Sequence, residues 1–139
     1  MVTGPWVDKR AWPGTPADVS SARHFVSMSL GAHDLQGLER PVCLVASELC
    51  TNAVLHAQTP FTVSLESRND LLLIEVIDGC SSRPESLAAT VADNNGRGLL
   101  IVESLCTAWG VWLRRDGKSV WASFSLAPED EPGGGVYGW

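Results

Sequence analysis

The sequence predicts an α+β two-layer sandwich, with helices covering one face of a mixed β-sheet. Three observations lead there. Residues 61–66 alternate strictly, with Phe61, Val63 and Leu65 set against Thr62, Ser64 and Glu66, and Asn69-Asp70 then turns the chain into a second strand. Asp116-Gly117 marks another hairpin near the end of the chain. Segments of helical period are grouped before the first hairpin and between the two. With 139 residues, 45% of them hydrophobic and 19% charged, the chain reads as one globular domain. A chain of this size can bury roughly two-thirds of its unfolded surface, enough for a core without staples.

In chain order, residues 1–14 hold Pro5, Pro13 and two glycines among scattered tryptophans, and read as an arm with at most one short strand. Residues 1–11 are assigned to a flexible arm, 12–127 to the folded domain and 128–139 to a disordered tail. Thr15-Pro16-Ala17-Asp18 is a helix start, with Thr as N-cap, Pro in the first turn and Asp as the capping-box acid. Val19, Ala22, Phe25, Val26 and Met28 follow at mostly helical spacing, and Gly31 is read as the end of the helix. A second helix is expected from about Leu38 to Ala57, with Pro41 tolerable only in its first turn. Leu71 to Asp78 forms the return strand, and its first half, apolar on both faces, belongs in the middle of the sheet.

Residues 79–98 form a long irregular connection, with a short helix expected near Pro84–Thr90; a connection of this length points to function or disorder. Gly98 opens a third helix through about Cys106, Trp109–Leu113 is a strand, and Ser119–Leu126 is the last one. The tail from Pro128 carries Glu-Asp-Glu and three successive glycines, a composition that cannot pack.

The formal charge of −6 argues against a nucleic-acid partner. No apolar run approaches the ~20 residues that span a bilayer, and the N-terminus lacks a signal-peptide pattern, so a cytoplasmic location is expected. Cys43, Cys50, Cys80 and Cys106 form no C-x-x-C pair, and Cys43 and Cys50 would lie about 10 Å apart on one helix, so free thiols are expected.

Three stretches carry chemistry. Glu48, Asn52 and His56 fall at i, i+4 and i+8 of the second helix, a polar ridge beside the apolar Val45, Ala46, Leu49, Ala53 and Val54. Asn in a helix interior competes with the backbone for hydrogen bonds, so propensity does not explain it. A carboxylate one turn before a carboxamide can serve a proton transfer and a hydrated magnesium ion; the same ridge also suits a solvated helix face. Asp78-Gly79 closes an apolar strand, where a carboxylate can read an exocyclic amine such as that of adenine, or simply form a turn. Asn94-Asn95-Gly96-Arg97-Gly98-Leu99 precedes a helix whose N-terminus, with the Arg97 fork, suits phosphate; a plain glycine loop is the alternative. No P-loop and no strand-linked G-x-G-x-x-G is present.

The order and spacing of these stretches resemble the Bergerat-fold (GHKL) ATPases. Glu48-x-x-x-Asn52-Ala53-x-x-His56-Ala57 is similar to their N box, Asp78-Gly79 to the start of their first glycine box, and Gly96-Arg97-Gly98-Leu99 to the second. Ser119 falls where the family carries a last-strand Thr or Ser. Ser47-Glu48-Leu49, Trp109-Gly110-Val111 and Gly117-Lys118 more narrowly resemble the stand-alone anti-sigma-factor serine/threonine kinases of actinobacteria.

The resemblance, which covers about residues 12–126, implies a Bergerat ATP-binding fold with ATP and Mg2+ as cofactors. Asn52 would hold the magnesium ion, and Glu48 would be the base for an attacking hydroxyl. Asp78, with Gly79 and the Ser119 hydroxyl, would read adenine. Gly96, Arg97, Gly98 and Leu99 would wrap the phosphates, and residues 80–95 would form a lid. It further implies a protein kinase that sequesters a sigma factor and phosphorylates an anti-anti-sigma (STAS-type) protein, with no nucleic-acid or membrane partner, and it suggests a homodimer. Cys80 and Ser82 stand where the family continues with glycines. That departure supports a second reading, a nucleotide-sensing partner switch without phosphotransfer. His56 is given no role, and Lys118 reads as a charge that keeps a turn in solvent.

Overall fold

The computed structural model describes residues 4–80 and 98–127, and the side chains of that range apart from 98–100. Its strands are β1 (Trp6–Trp12), β2 (Phe61–Arg68), β3 (Leu71–Asp78), β4 (Ala108–Arg114) and β5 (Gly117–Ser125). Its α-helices are α1 (Ala17–Ala32), α2 (Glu39–Asn52) and α3 (Gly98–Leu105). The strands form one sheet in the order β1-β2-β3-β5-β4. α1, α2 and α3 make the second layer, as the two-layer α+β reading requires.

The sheet is antiparallel at every described pairing, where a mixed sheet was expected. The helix between β3 and β4 does make those two strands run in one direction. However, β5 folds back between them, so the parallel strands never become neighbours.

Period-two alternation decides what each strand buries. On β3, Leu72, Ile74, Val76 and Asp78 are buried under the helices, while Leu73, Glu75 and Ile77 look out on the other face. Val120, Ala122 and Phe124 of β5 join the buried set, opposite Val76, Ile74 and Leu72. From the helix layer, Ala22, Val26 and Leu30 of α1 and Val42, Val45, Ala46, Leu49 and Cys50 of α2 close this core. Burial pushes the Cys50 thiol up to about 12, and those of Cys43 and Cys106 also upward, so these three thiols are poor nucleophiles.

Residues 6–11 are not a flexible arm. They belong to β1, an edge strand paired to β2 along its whole length. Trp12 is buried against Phe25 and Phe61, and Trp6 stacks on His33 with ring centroids 3.6 Å apart. Asp8 accepts hydrogen bonds from Ser29 and lies 3.2 Å from His33, tying this edge to the end of α1. Charged Lys9 and Arg10 and the flanking Pro5 and Pro13 hide the strand in the sequence, yet they are what an exposed edge carries.

At the start of α1, Pro16 rather than Thr15 takes the N-cap position, without a side-chain cap. The Asp18 half of the expected capping box does form, since Asp18 Oδ2 accepts the Thr15 and Gly14 N–H groups at 2.7 and 2.9 Å. These bonds, the Thr15 one foremost, hold the Asp18 carboxyl below its ordinary range. The end is different. Gly31 lies inside the helix, and the chain leaves at Asp34 in a left-handed conformation, with Leu35 N–H bonded to Leu30 C=O.

The second helix also ends early as an α-helix. It is entered by a 3₁₀ turn at Gln36–Leu38, and after Asn52 residues Ala53–Ala57 form a wider π turn closed by Gln58 in the left-handed region. β5 begins at Gly117 rather than Ser119. The expected short helix near residues 84–90 and the tail at 128–139 lie outside the described residues. No described helix is long and apolar enough to cross a membrane.

Gly117, like Gly14 against the Thr59 carbonyl, is a position where a side chain is sterically forbidden. A β-carbon there would collide with the Asp78 carbonyl and press on Gly79. Gly31, by contrast, has nothing within 4 Å of its would-be β-carbon. Gly117→Ala should therefore cost on the order of 3 kcal/mol in urea unfolding. Gly31→Ala should add about 0.5–1 kcal/mol through helix propensity.

Candidate functional site

Four pieces of chain meet at the C-terminal end of β3. The alternation that buries Leu72, Ile74 and Val76 also turns Asp78 under the helix layer, and its partner in β5 is Lys118. Their side chains are 2% and 3% exposed, and Lys118 Nζ lies 3.3 Å from Asp78 Oδ1. The same oxygen accepts the Cys80 N–H at 2.9 Å, and the ammonium also donates to the Cys80 carbonyl at 3.4 Å. Thr59, just beyond the π turn, accepts the Gly79 N–H on Oγ1 at 2.9 Å. The end of β3 is thus pinned from both sides, by β5 and by the chain leaving the second helix.

α2 forms the wall of this site. It packs on β3 and on α3, and the π turn also touches β3. Glu48 and Asn52, half-buried, lie one α-turn apart in its C-terminal half. The π turn then breaks the expected stack, because the wider turn carries His56 away from the Glu48–Asn52 line. His56 instead feels the charge of Lys118: burial first, and then that cation, hold its imidazole below the usual pKa. α3, which packs on α2, begins at Gly98-Leu99.

Asp78 and Gly79 therefore sit at the end of β3, and Glu48 and Asn52 lie on α2, which packs on the same strand. Ser119 does not join them. It pairs with Ile77 on the opposite face of the sheet, where its hydroxyl donates to Glu75 at 2.6 Å, and Glu75 in turn lies 3.5 Å from Arg114. Adjacent strand residues point to opposite faces, so Ser119 cannot assist Asp78 while Lys118 is beside it. Gly96, Arg97 and residues 81–95 of the expected lid lie outside the described residues.

Lys118 is the functional position that the reading of the turn missed. It is not a solvated charge but the buried partner of Asp78. The signal was present: Lys118, Val120, Ala122 and Phe124 share one parity, and the other three are plainly core. Thr59 had no comparable signal, since its role depends on where the π turn delivers it.

The sequence matches the family model of the histidine kinase-like ATPase domain over residues 12–124. The chain belongs to this family. No curated protein matches it. The matched span starts at Trp12, at the end of β1, and runs through α2, the end of β3 and nearly all of β5. It thus takes in every element of the site described above.

Domains of this family bind ATP, usually with Mg2+, and the geometry can be tested against both. A buried carboxylate facing the helix layer fits a purine amine, provided that Lys118 shares or yields its oxygen. Among the described residues no group of three His, Cys, Asp or Glu side chains could cage a metal.

Two measurements check these electrostatics. Lys118→Met leaves Asp78 buried without its cation and should cost about 3–5 kcal/mol in urea unfolding. Adding Asp78→Asn to it should recover part of that loss. For His56 the folded pKa lies below the unfolded one, so the unfolded chain binds the proton first. Stability should be full above pH ~6.5 and fall as the pH drops through that value. His56→Gln should flatten the thermal midpoint between pH 7 and 5.

Proposed function

We propose that the chain is an ATP-dependent serine/threonine protein kinase of the anti-sigma type, which sequesters a sigma factor and phosphorylates a serine on an anti-anti-sigma (STAS-type) protein. The observation that carries the proposal is the placement of Glu48 and Asn52. A carboxylate and a carboxamide one α-turn apart, half-buried on a helix packed against the end of β3, give a proton acceptor beside a magnesium ligand. The resemblance of Ser47-Glu48-Leu49 and of the Trp109-Gly110-Val111 and Gly117-Lys118 segments supports the narrower assignment.

In this reading Mg·ATP supplies the phosphoryl group. The serine hydroxyl of the partner attacks the γ-phosphorus, its proton passes to Glu48, and the bond to the ADP oxygen breaks. Asn52 would hold a magnesium ion, which supplies charge neutralisation at the phosphates, and Asp78 would accept the adenine amine, with Gly79 next to it. Gly96, Arg97, Gly98 and Leu99 would wrap the phosphates. Homodimer formation and a cytoplasmic location belong to the same proposal.

A nucleotide-sensing partner switch without phosphotransfer is the second reading. It is favoured by the engagement of Asp78 with Lys118, and by Cys80 where a glycine would let the chain move freely.

Glu48→Gln should reduce phosphate transfer by roughly 10²- to 10⁴-fold while leaving nucleotide binding intact. Asn52→Ala should weaken Mg·ATP binding by calorimetry at least tenfold, about 1.4 kcal/mol. A Glu48→Gln protein with full transferase activity would remove the proposed base. Wild-type protein that binds Mg·ATP and its partners but transfers no phosphate would establish the switch reading.

A further inference from the structure

Away from this site, the outer side of the helix layer holds a surface groove of about 620 Å3 between α1, α2 and α3. Its rim is cationic, with Arg23 of α1 and Arg40 of α2, and its floor is apolar, with Leu44 of α2 and Leu105 of α3. Both arginines are exposed, and Leu44 keeps 45% of its surface in contact with solvent. Arg23 donates to the Ser47 hydroxyl at 3.2 Å, so its guanidinium is held at the groove. The nearest acid on α2, Glu39, is engaged by the Ser27 hydroxyl at 2.8 Å. In a chain of formal charge −6, two exposed arginines at the edge of apolar side chains make a local cationic patch.

The chain itself carries a matching segment. Residues 128–139 read Pro-Glu-Asp-Glu-Pro-Gly-Gly-Gly-Val-Tyr-Gly-Trp: three successive acids between prolines, then a glycine spacer, then Val136, Tyr137 and Trp139. The sheet releases this segment between the end of α3 and the β2–β3 turn, where Leu126 N–H is bonded to the Asp70 carbonyl at 2.8 Å. Ser125 N–H is bonded to the Thr107 hydroxyl at 3.2 Å, and Thr107 N–H to the Ser123 carbonyl at 2.7 Å. Thr107 is two residues from Leu105 in the groove floor. From Ala127, the acids at 129–131 reach at most about 7–14 Å, and Trp139 about 40 Å.

We propose that residues 128–139 dock in cis along this groove, with Glu129, Asp130 and Glu131 on Arg23 and Arg40, and the aromatic end on the apolar floor. Each ion pair is exposed and weak, but a short tether gives an effective concentration in the millimolar range, so modest contacts suffice for occupancy. The docked segment lies against the outer face of α2, on which Ser47 immediately precedes Glu48. The inference does not depend on the proposed kinase activity.

The experiment is a set of 1H–15N spectra of the full chain, compared with E129Q/D130N/E131Q, which leaves the folded region untouched, and with R23Q/R40Q. Docking requires the Leu44, Ser47 and Leu105 amides to shift when the acids are neutralised. Salt at 1 M, where the Debye length is ~3 Å, should move the wild-type signals toward the variant's. The R23Q/R40Q protein should show no further change on neutralising the tail. Groove signals identical in the wild type and E129Q/D130N/E131Q would overturn the proposal. So would shifts that fade on tenfold dilution, since those would mean a second copy's tail in the groove.

Discussion

The placement of the site rests on one buried ion pair. Taking a carboxylate and an ammonium out of water costs several kcal/mol for each ion. Here Asp78 and Lys118 offset that cost with each other and with the Cys80 backbone. They can meet only because β5 passes so close to the end of β3 that position 117 has no room for a side chain. The pair also fixes register. A one-residue slip of β5 would turn Lys118 to the outer face, and with it Val120, Ala122 and Phe124. The core and the charge pair therefore specify the same alignment, and that alignment decides where Asp78 points.

The same pair sets terms for any ligand that reads Asp78. A purine amine is a weaker partner for a carboxylate than an ammonium in a water-poor site, so a nucleotide competes with Lys118 or binds beside it. His56 is part of this balance. Its imidazole stays neutral more readily because burial and the Lys118 cation both oppose its protonation. If Lys118 moved away from Asp78, the field on His56 would change with it, which ties the protonation of the π turn to the Asp78–Lys118 pair.

Much of this was legible in the sequence, for identifiable reasons. β2 and β3 were visible because one of their faces is core and the other is not, and because Asn69 and Asp70 both tolerate the left-handed backbone that their tight turn uses. α1 announced itself through Asp18, whose carboxylate reaches back to the N-terminal amides. β1 escaped because an edge strand is charged by necessity and short by design. The mixed sheet was a natural error: a helix between strands implies that they are parallel, and nothing local reveals that a hairpin partner slips between them. The π turn is invisible to periodicity, since five residues of one wide turn look like any helix end. Of the candidate site, Asp78 and Gly79 lie at the end of β3 and Glu48 and Asn52 on α2, which packs on that strand. Ser119 was misplaced by a single residue of strand parity.

That parity is a general constraint on this architecture. Opposite Asp78, at the start of β5, only one of two consecutive side chains can face the carboxylate, and the Asp78–Lys118 register gives the place to lysine. Ser119 is thereby committed to Glu75 and Arg114 on the outer face. A hydroxyl could serve Asp78 only from another element, and Thr59 is the one delivered there, holding the neighbouring Gly79 amide. The polar environment of the end of β3 is thus assembled from the chain after the π turn and from β5 together. The wide turn after Asn52 is what lets the chain that follows α2 bring a hydroxyl to that end.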